Sequence, residues 1–239
     1  MKCGIFWLVF LGIASIAFPD SPTVAEHHYD QWKAAVEKRR KSEYLAPTRI
    51  HAISRQLDGA GTVKSEEHEF FSIHYTDSGM AVIHLLYAEK NGRDITQQNR
   101  QKFVSTREER KEFEKGKTPF EPDMQNCLTL GSPYREKEGD IDLLAFPFTM
   151  ISGEYRFTGI ARITEQEGRP YDVRYNPSPL PLFAHLLEIG MFFTPYDEDR
   201  YVISKVTYKY AGSFLFFRQF GEGLIEIEGW IELSVKPRL

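Results

Sequence analysis

Apolar and polar residues alternate along most of this chain with a period of two, interrupted by turn residues, as a succession of half-buried strands requires. The clearest hairpin is EEHEFFSIHYTDSGMAVIHLLYAEK, where Asp77-Ser78-Gly79 reverses a strand of about residues 67–76 into one of about 80–89, with residues 72 and 83 opposite each other. In GEYRFTGIARITEQEGRPYDVRYNPSP, Tyr155, Phe157, Gly159, Ala161 and Ile163 alternate against Arg156, Thr158 and Arg162. The chain then turns at Glu167-Gly168 and resumes with Tyr171, Val173 and Tyr175. Three more strands follow in RYVISKVTYKY, GSFLFFRQF and GLIEIEGWIELS. The first puts Val202, Val206, Tyr208 and Tyr210 inward and Lys205 and Lys209 outward; Ala211-Gly212-Ser213 is a place where a bulge or turn can reset the face. The last sets Ile225, Ile227 and Ile231 against Glu226, Glu228 and Glu232.

Helical spacing is confined to a few segments. Near residues 23–44, Thr23 and Glu26 have capping-box spacing and Tyr29, Trp32 and Val36 share a face. A highly charged helical insertion near 94–117 has Phe103 and Phe113 as its apolar anchors and reads as a surface element. SPLPLFAHLLEIG allows a third, short helix despite its prolines. Strand after strand, each apolar on one face, predicts a mainly β (α+β) fold. A single antiparallel sheet curls into a half-open barrel, with two or three helices covering the concave side. Its interior is either a filled core or a cavity, and 18 Phe with 12 Tyr suit both. No repeat of 20 to 50 residues supports a propeller or solenoid.

The amino terminus changes the picture of where such a domain works. Lys2 precedes an uncharged apolar run from Ile5 to Ala17, with Ser15-Ile16-Ala17 as a small-x-small cleavage signal. Those 13 residues fall short of the roughly 20 that span a bilayer. They predict a signal peptide at 1–17, cleaved near Ala17, and a single periplasmic domain at 18–239. Cleavage removes Cys3 and leaves Cys127 alone, so no intramolecular disulfide forms, and Cys127 reads as buried and inert. A net charge of -4 and aromatics set in apolar runs exclude a broad nucleic-acid face.

Catalytic signatures are sparse. GxSxG, HExxH and phosphate-binding glycine loops are missing, and neither a cofactor nor a metal is implied. The one catalytic alternative is a metal-dependent hydrolase with His68, His74 and His84 on paired strands and Glu66 or Glu69 nearby.

The order of helix, hairpin, charged helix, EGRPYDVRYNPSP, GMFFTPYDED and ISKVTYKYAGSFLFFRQF resembles the LolA/LolB-like outer-membrane lipoprotein-sorting proteins. Gly168-Arg169-Pro170, Asn176-Pro177 and Gly212 through Phe217 carry the likeness, and the charged segment at 89–117 departs from it. The resemblance implies a half-closed barrel whose apolar interior receives acyl chains of lipoproteins or lipids. The implied partners are an acylated lipoprotein or lipid and membrane sorting proteins, met by a monomer. On that reading Phe146, Phe148, Phe192, Val206, Tyr208, Tyr210, Phe214 and Phe216 line one acyl cavity. The competing reading is a non-enzymatic envelope interaction module, working through a sheet edge or through REERKEFEKGK.

Overall fold

The computed structural model describes residues 24–105, 118–180, 184–214 and 217–237. The expected signal peptide, Thr23, the distal part of the charged helix at 106–117, and Phe216 lie outside these residues. In chain order come α1 (Val24–Arg40), β1 (Leu45–Leu57), β2 (Val63–Tyr75), β3 (Ala81–Lys90), β4 (Arg93–Asp94) and α2 (Thr96–Ser105). A 3-10 helix (Pro122–Cys127) precedes β5 (Leu128–Leu130), β6 (Tyr134–Glu138), β7 (Ile141–Ser152), β8 (Tyr155–Thr164) and β9 (Pro170–Ser178). The chain closes with β10 (Ala184–Pro195), β11 (Tyr201–Phe214) and β12 (Phe217–Glu232).

All strands join one 12-stranded sheet in the order β4-β3-β2-β1-β12-β11-β10-β9-β8-β7-β5, with β6 beside β7, and each pairing is antiparallel. The sheet curls but does not close, which is the half-open architecture expected from the strand pattern. Register carries a single concave face across it. One row runs Phe146, Ala161, Val173, Met191, Val206, Ile225, Ala52, Glu69 and Ala88, from β7 to β3. The neighbouring convex row is Ala145, Arg162, Asp172, Phe192, Lys205, Glu226, His51, Phe70 and Tyr87. Glycines permit the tight curl: a Cβ at Gly159 would sit 2.0 Å from the Arg174 carbonyl oxygen of the paired strand.

The main core fills the β7–β11 half of the concave face. α1 lays Trp32, Ala35 and Val36 onto Phe146, Phe148, Ala161, Val173 and Met191, and buried Phe120 and Met124 close the same cluster. Tyr29, expected on this face, is largely exposed at its rim, with its ring 6.4 Å from Phe146. A smaller cluster of Phe71, Leu85, Ala88 and neighbouring Ile50, Ile83 and Ile95 lies at the other end of the sheet, where α2 rests on β3.

Four expectations are corrected. The segment read as a short third helix forms β10 from Ala184 onward, because ladders to β9 and β11 on both sides satisfy its backbone and override a weak local preference. GSFLFFRQF is not a separate strand: β11 runs unbroken through Ala211-Gly212-Ser213, and FRQF belongs to β12. In the first hairpin Ser72 opposes His84 and Ile73 opposes Ile83, one residue away from the expected register. The three-residue loop Asp77-Ser78-Gly79, with Gly79 at φ 77°, sets that offset. Finally, β11 contains an extra residue between Lys205 and Ile203 relative to β10, so Ile203 rather than Val202 packs on the main cluster.

Tyr175 lies in that core with 5% of its surface exposed, and burial pushes its phenol up to about 12. The folded state therefore favours the neutral phenol, a contribution that is whole below the ordinary tyrosine value near 10 and is lost as pH rises through about 12. Unfolding followed by phenolate absorbance should show stability falling between those values. Tyr175→Phe should remove on the order of 2–3 kcal/mol of that alkaline loss. An unchanged alkaline profile in Tyr175→Phe would contradict the burial.

Candidate binding site on the concave face

Between the part of the sheet under α1 and the part under α2, strands β10, β11, β12 and β1 present an apolar trough. Leu187, Ile189, Tyr208, Tyr210, Ile225 and Ile227 share its floor, and all are half-buried rather than covered. The two tyrosines lie over glycines of the next strand: a Cβ at Gly223 would meet the Tyr208 ring at 2.0 Å, and one at Gly221 the Tyr210 ring at 2.5 Å. Their rings stack on one another with centroids 6.5 Å apart, and burial raises the Tyr208 phenol above its ordinary value. This makes a flat aromatic surface instead of a pair of protruding side chains. Toward α2 the floor turns polar. Glu67 and Glu69 both accept from the Asn99 amide, at 2.7 and 2.9 Å, and Lys90 lies 3.3 Å from Glu67.

The residues read from the sequence as one acyl cavity are divided by the structure. Val206, Tyr208 and Tyr210 are on the concave face, with Lys205 and Lys209 on the other. Phe146 and Phe148 are on the concave face too, but at 0% and 3% exposure they are packed beneath α1 in a filled core. Phe192 is on the convex face, between Arg174 at 6.0 Å and Lys205 at 5.4 Å; its neighbour Phe193 is the one that points into the core. Phe214 ends β11 opposite Phe217, and Phe216 lies outside the described residues. Cys127, expected to be buried, is exposed at the end of the 3-10 helix, whose inward residue is Met124.

The histidines do not form the expected trio. His68 and His74 share the convex face of β2 but stand six residues apart, about 20 Å along a strand. His74 meets His84 edge to face at 5.7 Å, whereas His68 pairs with His51 on β1. Among the described residues no group of three or more His, Cys, Asp or Glu side chains is placed to hold a metal ion. Nor, among them, is any helix long and apolar enough to cross a membrane.

Sequence reasoning missed three features. Thr118, Pro119 and Phe120, just past the charged segment read at 94–117, are fully buried, with Phe120 against Trp32 of α1. Ile189 and Leu187 of the trough were hidden by the helical reading of β10. The third is convex and ionic: Arg162 donates to both Asp172 oxygens at 2.6 Å and reaches Glu138 at 2.7 Å, while Tyr171 donates to Glu138 at 3.1 Å. Only the alternation of Arg162 against Ala161 signalled this group, and it said nothing of the partners.

No family model matches the chain, and no curated protein matches it. Among solved structures it is similar to the crystal structure of MucB in complex with MucA(peri), at 8% identity over 87% of this chain and 99% of that one, with a TM-score of 0.25. A superposition that loose carries no functional inference.

Proposed function

We propose that this protein is a non-enzymatic carrier of the cell envelope that shelters an acyl chain of a lipid or lipoprotein in the trough between α1 and α2. One observation supports the reading above others: the same concave rows that are fully buried under α1 continue, still apolar, into the half-exposed floor formed by Ile189, Tyr208, Ile225 and Ile227. Apolar area left open at about 25 cal/mol per Å² is a standing incentive for an apolar occupant. An open trough also lets that occupant leave, as transfer demands. Relative to the sequence reading, the ligand moves from the Phe146 and Phe148 region to the β10–β12 floor.

A fluorescent fatty-acyl probe tests this. The wild-type protein should bind it saturably, and Ile225→Asp should weaken binding by at least about tenfold, since the lost apolar contact is worth about 1.5–3 kcal/mol. Unfolding curves of the same variant establish that the fold persists. Failure of the wild type to bind, or equal binding by folded Ile225→Asp, would discard the carrier.

A second reading has its own observation. Phe70, Leu86 and Tyr87 are 37%, 52% and 38% exposed near the open side of β3, a patch of the kind that contacts a protein. Capture of one protein from envelope extracts with no co-purifying lipid would favour it.

A further inference from the structure

We propose that the α2 end of the trough is a seat for a primary ammonium, so that the ligand is an amphiphile with an alkyl chain and an amine head. The assignment deepens the carrier reading and rests on it. Across the sheet from the trough floor, Ile225 of β12 lies beside Ala52 of β1, and Ala52 beside Glu69 of β2. Two strand spacings, about 10 Å, therefore separate the apolar floor from a carboxylate on the same concave face. Glu67, two residues back on that strand, adds a second.

These carboxylates are held in place but not neutralised. The Asn99 amide of α2 donates to both, at 2.7 Å to Glu67 and 2.9 Å to Glu69. Among the described residues Lys90 is the one cation paired with them, 3.3 Å from Glu67, and Glu69 has no counter-ion. Asn99 points independently to a hydrogen-bond donor. It is 5% exposed, and its Oδ1 has no hydrogen-bond partner. Turning the amide over does not help, because the carbonyl would then face two acceptors and the NH2 group would be stranded. A sealed carbonyl without a donor is unfavourable. Oδ1 shares its carbon with the nitrogen that bridges the carboxylates, so a donor seated on Glu69 comes within reach of it.

The tyrosine wall of the trough suits the same guest. Tyr208 and Tyr210 lie flat over Gly223 and Gly221, and aromatic faces attract cations. Burial, then Tyr210, then the Glu69 charge raise the Tyr208 phenol, so that carboxylate is within electrostatic reach of the wall. An unpaired carboxylate, a lone carbonyl acceptor and an aromatic face together select a group that is positive and donates hydrogen bonds. A protonated primary amine is both. A carboxylate head would meet Glu67 and Glu69 as like charges, and a quaternary ammonium has no N–H to give Asn99.

Calorimetric titration of the full chain with dodecylamine, dodecyltrimethylammonium, dodecanol and dodecanoate, each below its micelle concentration, tests the seat. Dodecylamine should bind at least about tenfold tighter than dodecanol, as a charge-assisted hydrogen bond warrants. Dodecyltrimethylammonium should bind more weakly than dodecylamine, and dodecanoate weakest. Glu69→Gln keeps an acceptor for Asn99 while removing the charge, so it should erase the advantage of the amine and leave dodecanol binding unchanged. Glu66→Gln, on the convex face beside His68, should leave that advantage intact. Ethylamine, which lacks the chain, should not bind. Failure of every twelve-carbon ligand, dodecanol included, would overturn the carrier and the seat together. With dodecanol bound, the seat alone falls if dodecylamine has no advantage, if the advantage survives in folded Glu69→Gln or is lost in Glu66→Gln, or if ethylamine binds as tightly. Should Glu69→Gln fail to fold, the wild-type order decides: dodecanoate binding as tightly as dodecylamine overturns the seat.

Discussion

Replacing Arg162 with leucine is expected to remove about 3–5 kcal/mol of stability, read as a lower denaturation midpoint at unchanged slope. Asp172, with no exposed surface, is gripped by both arms of the guanidinium at 2.6 Å. Leucine would leave that carboxylate buried with Arg174 alone, 3.2 Å away on a side chain that is half in water. Arg174 recovers part of the loss, so the lower end of the range is expected. The hydrogen bonds it donates to Asp172, opposed by burial, hold the Arg162 pKa above its ordinary value, so the guanidinium is charged at every accessible pH. Arg162→Lys should also be costly, because an ammonium cannot make two parallel bonds to one carboxylate. Removing both partners should cost less than removing the arginine alone, since no unpaired charge is then left behind. If Arg162→Leu fell within about 0.5 kcal/mol of wild type, as ordinary surface changes do, the pair would be a surface ornament.

Trp32→Ala should cost about 3–5 kcal/mol as well, by a different route. The indole is 4% exposed and packs at a tilt against Phe120 at 4.9 Å and Phe146 at 5.0 Å, while its N–H donates to Gln125 at 3.1 Å. It is the bolt between α1, the 3-10 helix and β7. Truncation opens a hole that neither rigid sheet nor short helix can close. If the carrier reading holds, this variant should lose stability while binding of an acyl probe per folded molecule stays close to wild type, because the trough lies beyond the filled core. Equal loss of both would place the ligand under α1 after all.

The sheet was legible because alternation is a local signal: β8 announces Phe157, Ala161 and Ile163, β9 announces Val173 and Tyr175, and β11 announces Val206, Tyr208 and Tyr210, while Val202 and Tyr171 were misassigned where the register shifts. α1 was legible for the same reason, through Trp32 and Val36. What stayed hidden depends on partners distant in sequence. β10 opens with Ala184 and the Leu186-Leu187 pair, which suit a helix, and only β9 and β11 on its flanks make it a strand. Phe192 and Phe193 are identical letters side by side, yet one meets Arg174 and Lys205 and the other Phe120. His68 found His51 rather than His74 because β1 is its neighbour on the other side, a pairing that hairpin reasoning on β2 and β3 does not reach.

Every long pairing in the sheet joins strands consecutive in the chain, with one exception: β1 pairs with β12, from Leu45 opposite Glu232 to Leu57 opposite Phe220. That seam closes a loop of nearly the whole chain and is the slowest kind of contact to form. It also arrives last during synthesis. Until β12 emerges, β1 and β11 both offer a long unpaired edge, and the part of the trough floor made by Ile225 and Ile227 does not exist. A chain cut short before Phe217 is thus left with two sticky edges rather than a smaller version of the same molecule, the kind of species that chaperones hold and that aggregates when they do not.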